Sequence, residues 1–390
     1  IAIELLFVSL GAGFLLARLP REVRSLEADV GDEAEPLETR QRRNVGLILF
    51  TSQAIQVLVV SVLVAAFFIV FGAIAINQEV REAWIGEAGN TLLTITLLGE
   101  QFYCIRHYDR MPPFFMSIVS SADHWLFISS TGGLTAGRIN AESALFPYYT
   151  DDKISENCVN TGPVTCLHVQ RGGQSVLWEP FSTCAPAGAH LTRNLYKNVA
   201  GDKLIFEEVN DALGLTFRYA WRTGDRYGFV RTAWLHNHGA EPCTVRLLDG
   251  LQNLLPYGAT VALQTGMSNL LDAYKRSELD PVTGLGVFAL SATLTDRAEP
   301  SESLKATVAW QVGLTAPTYL LSTLQLGAFR DGRPVAQEED IKGRRGAYLF
   351  TTTLDLARGA EQSWSIVADV NQDHAAVAGL INLLAGDGQG

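Results

Sequence analysis

One short stretch of the chain, between Ser129 and Lys153, concentrates aromatic and charged side chains. Two tyrosines lie just before two aspartates, and an arginine lies ten residues upstream of the first tyrosine: Arg138, Tyr148, Tyr149, Asp151 and Asp152. Aromatic rings pack on the apolar face of a sugar ring, and carboxylates or guanidinium groups bond its hydroxyls. Loops on a rigid scaffold usually present such groups. The stretch predicts a carbohydrate-binding site, and the alternative is that these residues only brace the scaffold.

A second set of charged residues lies far downstream and is expected to contribute to the same site. It comprises Arg276 and two residues of the segment "DRAEPSE", Arg297 and Glu299. The chemical reason is the same, because a guanidinium donates to sugar hydroxyls and a carboxylate accepts from them.

Two pairs of carboxylates in the sequence could serve in the hydrolysis of a glycosidic bond. Glu299 with Glu302, and Asp151 with Asp152, are the two clearest pairs. A glycosidase needs two carboxyl groups about 5–10 Å apart across the sugar, and sequence does not fix that separation. Pairing with a neighbouring arginine or lysine on the surface is the alternative. No catalytic residue is therefore assigned.

The segment "GGLTAGRI", Gly132 to Ile139, has the glycine spacing of a phosphate-binding loop. That motif needs a lysine followed by serine or threonine, and Arg138 and Ile139 stand in those places. The segment therefore predicts a tight β-turn. The sequence also lacks a nucleophile elbow, an HExxH motif and a dinucleotide-binding fingerprint, so no cofactor is expected.

Two other segments approach metal-binding patterns. His236 and His238 point to one face of a predicted strand and could join Cys243, but no further ligand follows from the spacing. "DVNQD", Asp369 to Asp373, begins like a calcium loop. The glycine and glutamate that such a loop needs at positions 6 and 12 are histidine and leucine here. The sequence predicts a solvated strand face and a strand end followed by a helix cap, and no metal.

Composition narrows the class of protein. The 390 residues carry a net charge of -11 and the pI is about 5.2, which argues against a nucleic-acid-binding protein. With 47% hydrophobic and 18% charged residues the chain is not of the disordered class. Five cysteines occur without a CxxC pair: Cys104, Cys158, Cys166, Cys184 and Cys243. Because five is odd, at least one thiol stays unpaired in a monomer.

From about Phe102 onward the sequence reads as short strands separated by turn residues. Runs such as "HWLFISS", "LTFRYAWR" and "AYLFTTTLDL" are rich in Val, Thr, Phe, Tyr and Trp and alternate in polarity. Such runs, spaced by Gly, Pro, Asn and Asp, are typical of an all-β sandwich. The sequence predicts a mainly β fold, a large two-sheet antiparallel supersandwich over residues 102–375. Residues 376–390 are predicted to start a helical linker.

Three long segments carry a family resemblance: "HYDRMPPFFMSIVSSADHWLFISSTGGLTAGRINAESALFPYYTDDKI", "TRNLYKNVAGDKLIFEEVNDALGLTFRYAWRTGDRYGFVRTAWLHNHGAEPCTVRLLDGLQNLLP" and "DRAEPSESLKATVAW". Residues 105–385 resemble the N-terminal β-sandwich of cellobiose phosphorylase-like, glycosyltransferase 36-type carbohydrate-active proteins. The resemblance implies a galactose mutarotase-like supersandwich. In that family a helical linker and an (α/α)-barrel with the catalytic acid follow, and this barrel is expected to be absent from the chain.

The first hundred residues contain long apolar segments, which predict two transmembrane helices. Residues 1–17 are apolar except for one glutamate, and residues 45–76 carry no charge. The predicted spans are about 1–17 and 54–76, joined by the polar loop 18–44. A signal peptide is the alternative for the first, but it needs a basic start, and no basic residue precedes Arg18. Six arginines in the loop predict that it is cytoplasmic and that the part after the second span is outside.

The segments "LPREVRSLE" and "RRNVGLILFTSQAIQVLVVSV" resemble actinobacterial-type integral membrane proteins. Because this part and the sandwich resemble unrelated proteins, the join near Gln101 is either a natural tether or a chimeric gene assembly. In the second case the sandwich is expected in the cytoplasm.

Together these observations predict a membrane-associated carbohydrate-active protein whose sandwich binds or supports a glycan. Its expected partners are an oligosaccharide or glucan, the lipid bilayer, and an (α/α)-barrel domain or a second copy of the chain. The chain by itself is expected not to be an enzyme, whereas a full-length relative would be a glycoside phosphorylase, glycosyltransferase or hydrolase. The alternatives are a non-enzymatic membrane-anchored structural or interaction module and a chimeric fragment.

Overall fold

The structure is a computed structural model, and it describes residues 93–97, 99–182, 191–292, 294 and 303–386 together with six residues nearer the N-terminus. The chain divides into two compact units, Ile1–Trp84 and Ile85–Gly390. The six residues described in the first unit are helical: Arg40, Asn44, Leu47, Ile48, Thr51 and Ile55. The predicted spans 1–17 and 54–76 and the loop 18–44 lie almost wholly outside the described residues. No described helix is both long enough and apolar enough to cross a membrane.

The second unit is built mainly of β-strands. In chain order they are β1 (Leu93–Leu97), β2 (Glu100–Arg106), β3 (Phe115–Ile118), β4 (His124–Ser129), β5 (Leu134–Arg138), β6 (Ala144–Phe146), β7 (Gly162–Arg171), β8 (Gln174–Trp178), β9 (Leu191–Asn198), β10 (Lys203–Asn210), β11 (Leu215–Gly224), β12 (Gly228–Asn237), β13 (Cys243–Leu254), β14 (Lys275–Leu279), β15 (Gly286–Leu290), β16 (Lys305–Val312), β17 (Thr318–Leu320), β18 (Asp340–Lys342), β19 (Gly346–Leu356) and β20 (Glu361–Asp373). The α-helices are α1 (Asp151–Glu156), α2 (Val261–Gly266), α3 (Ser268–Tyr274), α4 (Leu326–Arg330) and α5 (His374–Gly386).

These strands form three sheets. The largest has eleven strands in the order β1-β2-β9-β10-β11-β12-β20-β16-β15-β14-β18, the second has five in the order β17-β19-β13-β7-β8, and the third has four in the order β3-β4-β5-β6. The paired strands are antiparallel, as in the ten-residue register that joins β11 to β12. The prediction of a mainly β, antiparallel fold is confirmed.

The prediction of two sheets needs correction, because β3–β6 form a separate sheet. Its strands pair only with their neighbours along the chain. The register shifts between Ala136 and Gly137, and β6 has only three residues. Alternation of polarity reveals each of these strands, but it does not say which sheet a strand joins, since pairing is decided by contacts between distant residues.

Strand alternation builds one core that the three sheets share. On β11, Leu215, Phe217, Tyr219 and Trp221 are buried, and they alternate with residues that point to the other face of the sheet. Side chains from all three sheets belong to the same cluster of buried residues. Complete burial of each large apolar side chain contributes roughly 1.5–3 kcal/mol, so the alternating pattern supplies most of the favourable free energy of folding.

A buried ion pair crosses this core and joins the two larger sheets. Arg231 on β12 and Asp249 on β13 are both fully buried, and Nη1 lies 2.7 Å from Oδ2. Asp249 also accepts hydrogen bonds from Trp364 Nε1 at 2.6 Å and from Thr165 Oγ1 at 2.6 Å. The guanidinium carbon of Arg231 lies 4.7 Å from the centroid of the Tyr219 ring. The carboxylate is thus satisfied by three donors, as a buried charge requires.

The junction between β20 and α5 confirms the predicted strand end and helix cap. The Asp373 carboxylate accepts a hydrogen bond from the Ala376 amide at 2.9 Å, which satisfies one of the free amides in the first helical turn. Leu380 then buries itself in a cluster with Val230 and Trp310 on the largest sheet. A helix therefore follows the last strand with no intervening loop.

We expect Asp249→Asn to destabilise the fold by about 3–5 kcal/mol, because it leaves the Arg231 charge buried without a counter-ion. Asp211→Asn is the matched control, since the Asp211 side chain is 67% exposed. The double variant R231M/D249L removes both charges and is expected to recover much of the loss. Urea unfolding of the full chain measures all three, and equal stability of the D249N and wild-type chains would contradict the role given to this pair.

Candidate functional site

Four aromatic side chains form a row on the four-stranded sheet, here called the aromatic ridge. Its members in spatial order are Phe115, Phe127, Trp125 and Tyr148. The ring centroids are 5.8 Å apart for Phe115 and Phe127, 6.2 Å for Phe127 and Trp125, and 5.6 Å for Trp125 and Tyr148. Phe115 is 43% exposed and Tyr148 49% exposed, and the two central rings are half-buried. Three successive ring contacts give the surface a continuous apolar track.

Strand alternation puts the central rings on one face. His124, Leu126 and Ile128 of β4 are buried, so Trp125 and Phe127 point to the opposite side of the sheet. Tyr148 follows β6 by two residues and reaches the indole ring of Trp125 edge-on.

Gly137 on β5 makes room for the indole of Trp125. A Cβ atom on Gly137 would lie 2.4 Å from Cζ2 of Trp125 and 2.6 Å from the carbonyl oxygen of Ser143. The indole N–H donates to the carbonyl oxygen of Asn140 at 3.3 Å. These close contacts fix the tilt of the ring in the middle of the ridge.

Carboxylates predicted from the sequence lie just beyond Tyr148. Asp151 and Asp152 are exposed in the first turn of α1, and Tyr149 is half-buried beside them. A hydrogen bond from the Thr150 hydroxyl lowers the pKa of Asp152 below its ordinary value. The Asp152 carboxylate is therefore ionised at neutral pH and can accept hydrogen bonds from a ligand in solvent.

The structure places Arg138 in a bracing position. Its Nη2 lies 3.0 Å from Asp123, and its Nη1 lies 3.0 Å from Asp369 on β20. Arg138 is opposite His124 in the strand register, on the buried side of the four-stranded sheet. Its guanidinium thus bonds two carboxylates and connects the four-stranded sheet to the largest one.

The remaining predicted residues do not meet the ridge in the described part of the chain. Arg276 lies on β14, and its guanidinium pairs with Asp340 at 3.1 Å and with Glu278 at 2.9 Å. Arg297 and Glu299 lie outside the described residues. Tyr148, Tyr149, Asp151 and Asp152 are close to one another through their adjacency in sequence, whereas Arg138 and Arg276 make other contacts.

The other sequence motifs have structural roles. The amide of Gly132 donates to the carbonyl oxygen of Ser129 at 2.9 Å, which closes a turn between β4 and β5. The turn predicted for Gly132 to Ile139 is therefore confined to its start, because Leu134–Arg138 form strand β5. His236 and His238 lie 6.2 Å apart between ring centroids, and His238 is 3.1 Å from the Thr216 hydroxyl. Within the described residues no group of three His, Cys, Asp or Glu side chains could hold a metal ion. The described cysteines are unpaired, and Cys184 lies outside the described residues.

Sequence reasoning missed three of the four ridge residues. It selected Tyr148 from its position beside two aspartates, but not Phe115, Trp125 or Phe127. The signal was present in "HWLFISS", where Trp125 and Phe127 alternate with buried residues. Two aromatic residues spaced by two on one face of a half-buried strand indicate a partly exposed aromatic pair. Trp125 also packs against the buried cluster that contains Leu255 and Leu271.

Comparisons with known proteins show distant likenesses in structure. A putative aldose 1-epimerase from Escherichia coli K12 is 12% identical, with a TM-score of 0.37, and the match covers 67% of this chain and 99% of that one. A galactose mutarotase-like protein from Lactobacillus casei ATCC 334 is 8% identical, with a TM-score of 0.34 and coverage of 66% and 100%. A polysaccharide lyase is 14% identical, with a TM-score of 0.37, and 68% of this chain matches 34% of that protein.

This chain thus spans about a third of the lyase's length. No family model matches the chain. A search of curated proteins also finds no match. The expected link to cellobiose phosphorylase-like proteins is not shown by these comparisons. At such low identities and scores, no activity or substrate of these proteins is carried over to this chain.

We expect Arg138→Gln to lower the free energy of unfolding at neutral pH. Burial raises the pKa of Asp369 above its ordinary value, and the charge and hydrogen bond of Arg138 oppose that rise. Without Arg138 the pKa of Asp369 rises further. A carboxylate with a raised pKa costs stability as pH increases through the interval between its unfolded and folded values.

At pH 7 the variant is therefore expected to lose about 1–3 kcal/mol, and the loss is expected to shrink as pH falls towards about 4, near the ordinary pKa of aspartate. Urea unfolding at both pH values measures the difference, with Arg333→Gln, an exposed arginine, as control. A loss that grows on acidification would show that Asp369 is not the group involved.

Proposed function

We propose that this chain is a carbohydrate-binding protein and that the aromatic ridge is its glycan-binding surface. The observation that carries the proposal is the row of Phe115, Phe127, Trp125 and Tyr148, with neighbouring rings 5.6–6.2 Å apart. A chain of pyranose rings offers alternating apolar faces and hydroxyl edges. The ridge offers apolar ring surface, and Asp151 and Asp152 offer hydrogen-bond acceptors beside it.

The energetics of the ridge suit a weak, extended contact. An aromatic contact adds about 0.5–1.5 kcal/mol beyond burial, so several rings acting together are needed for useful affinity. Because the rings are held by a sheet, little conformational entropy is lost on binding. The Trp125 ring is already fixed by Gly137 and by its hydrogen bond to Asn140.

The resemblance of residues 105–385 to cellobiose phosphorylase-like proteins supports a more specific function. We propose that the chain supports a glycoside phosphorylase-like or hydrolase-like protein, with an oligosaccharide or glucan as ligand. No residue is assigned a catalytic role in this scheme. An (α/α)-barrel domain or a second copy of the chain would supply what the ridge lacks.

Binding of the full chain to an array of gluco-oligosaccharides, followed by titration with the best ligand, tests the ridge. We expect Tyr148→Ala and Phe115→Ala each to weaken binding by roughly 2–12-fold, which corresponds to about 0.5–1.5 kcal/mol. Asp151→Asn is expected to weaken it as well, without a change in melting temperature. Tyr103→Ala is the matched control, because Tyr103 is 40% exposed on a strand of another sheet.

If no glycan binds, or if the control weakens binding as much as the ridge variants do, the proposal is wrong. In that case a non-enzymatic interaction module becomes the better description of the exposed ridge.

We also propose that the chain associates with a membrane, on the strength of its sequence alone. The uncharged segment 45–76 follows a loop with six arginines, and the positive-inside rule puts that loop in the cytoplasm. Reporter fusions after residues 44 and 148 of the natural protein are expected to report opposite sides. A cytoplasmic signal from both would exclude the tether and favour a chimeric join near Gln101.

A further inference from the structure

A cavity of about 310 Å³ lies on the outer face of the largest sheet, the face turned away from the shared core. Its floor is a row of three small side chains on neighbouring strands: Ala220 on β11, Thr232 on β12 and Ser365 on β20. The volume lies at the lower end of the range of about 300–1,000 Å³ for small-molecule sites. All three side chains are half-buried, so a ligand can reach them.

Two large side chains lie at the two ends of this floor. Arg222 follows Ala220 by two residues on β11, and Trp234 follows Thr232 by two residues on β12. Arg222 is opposite Val230 in the strand register, so about 13 Å separate it from Trp234 along the strands, at about 3.3 Å per residue. The cavity is therefore a shallow, flat space with a guanidinium at one end and an indole ring at the other.

Arg222 supplies a cation without a counter-ion. Its side chain is exposed and makes no hydrogen bond or ion pair with the described residues. The other cation that lines the cavity, Lys203, pairs with Glu100, which is the only acid among the described lining residues. Arg218, further along β11, pairs with Glu207. One positive charge thus remains in the cavity, and it suits a ligand with a single negative charge.

The middle of the floor offers little hydrogen bonding to a ligand. The hydroxyl groups of Thr232 and Ser365 lie 2.9 Å apart and bond each other, and Ala220 adds only a methyl group. A ligand that crosses the floor therefore needs an apolar body between its charged end and its far end.

Trp234 favours an aromatic body at the far end. The residue is half-buried, and its indole N–H makes no hydrogen bond with the described residues and is open to solvent. Aromatic pairs prefer edge-to-face or offset contacts, and the indole can make such a contact with a ring that lies on the floor. A flat ring also touches a flat floor over its whole area, whereas a puckered ring does not.

We infer that this cavity binds a flat aromatic monoanion, a carboxylate carried on one or two rings. The carboxylate accepts two hydrogen bonds from the guanidinium of Arg222, the pairing in which arginine is strongest. The rings lie on Ala220 and Thr232, with one edge towards Trp234. The site is on a different sheet from the aromatic ridge and does not depend on the function proposed for that ridge.

Calorimetric titration of the full chain with 2-naphthoate tests the inference, and we expect saturable binding of one molecule per chain. Naphthalenemethanol has the same rings without the charge and is expected to bind at least tenfold more weakly, because it loses the hydrogen bonds between charged groups. The saturated acid, decahydronaphthoate, keeps the charge without flat rings and is expected to bind roughly 2–12-fold more weakly, the range of an aromatic contact.

Two variants remove the features on which the inference rests. Arg222→Gln removes the cation at an exposed position and is expected to weaken 2-naphthoate binding at least tenfold. Ala220→Phe covers the floor with a ring and is expected to abolish binding without a change in melting temperature. Arg344→Gln is the matched control, because Arg344 is also exposed and without an ion pair to the described residues but lies in the turn between β18 and β19. It should leave binding unchanged.

Tyr148→Ala alters the aromatic ridge and should also leave 2-naphthoate binding unchanged, so that failure of this site and failure of the ridge are distinguishable. Absence of saturable binding, equal affinity for naphthalenemethanol or for the saturated acid, or full affinity in both Arg222→Gln and Ala220→Phe would overturn the inference.

Discussion

A guanidinium and a carboxylate with no access to water, those of Arg231 and Asp249, join the two larger sheets through the middle of the core. Neither charge is tolerable there alone. The pair therefore restricts how the sheets can be superimposed: a shift of β12 by one residue would turn the arginine outward and leave the aspartate without its counter-ion. Apolar packing stabilises many relative positions of the two sheets, whereas this ion pair forms in only one of them.

The same arrangement occurs a second time. Glu208 on the largest sheet is fully buried and accepts from Trp178 on the five-stranded sheet and from Arg193. Each of the two buried carboxylates thus takes one indole N–H and one guanidinium. Both carboxylates therefore tie a strand of the five-stranded sheet to the largest sheet.

The sequence was sufficient for features decided locally. The cap at Asp373 depends on residues within a few positions and is predicted correctly. The turn predicted for Gly132 to Ile139 is found only at its start, since the rest of that segment pairs as strand β5. The separate four-stranded sheet was not predicted. Whether β3–β6 join a larger sheet depends on pairing with strands far away in the chain, and the polarity pattern of a strand does not specify its partners. Similarly, Phe115 and Phe127 become neighbours only through strand pairing, and Arg138 meets Asp369 across 231 positions of the chain.

Strand β20 takes part in contacts with both smaller sheets. Trp364 bonds Asp249 in the five-stranded sheet, and Asp369 bonds Arg138 behind the aromatic ridge. Between β12 and β16 it also lies inside the largest sheet. Local opening of this one strand would release all three sheets together, so the unit should not open piecemeal. The aromatic ridge and the buried pair of Arg231 and Asp249 then belong to a single cooperative unit and are lost or kept together.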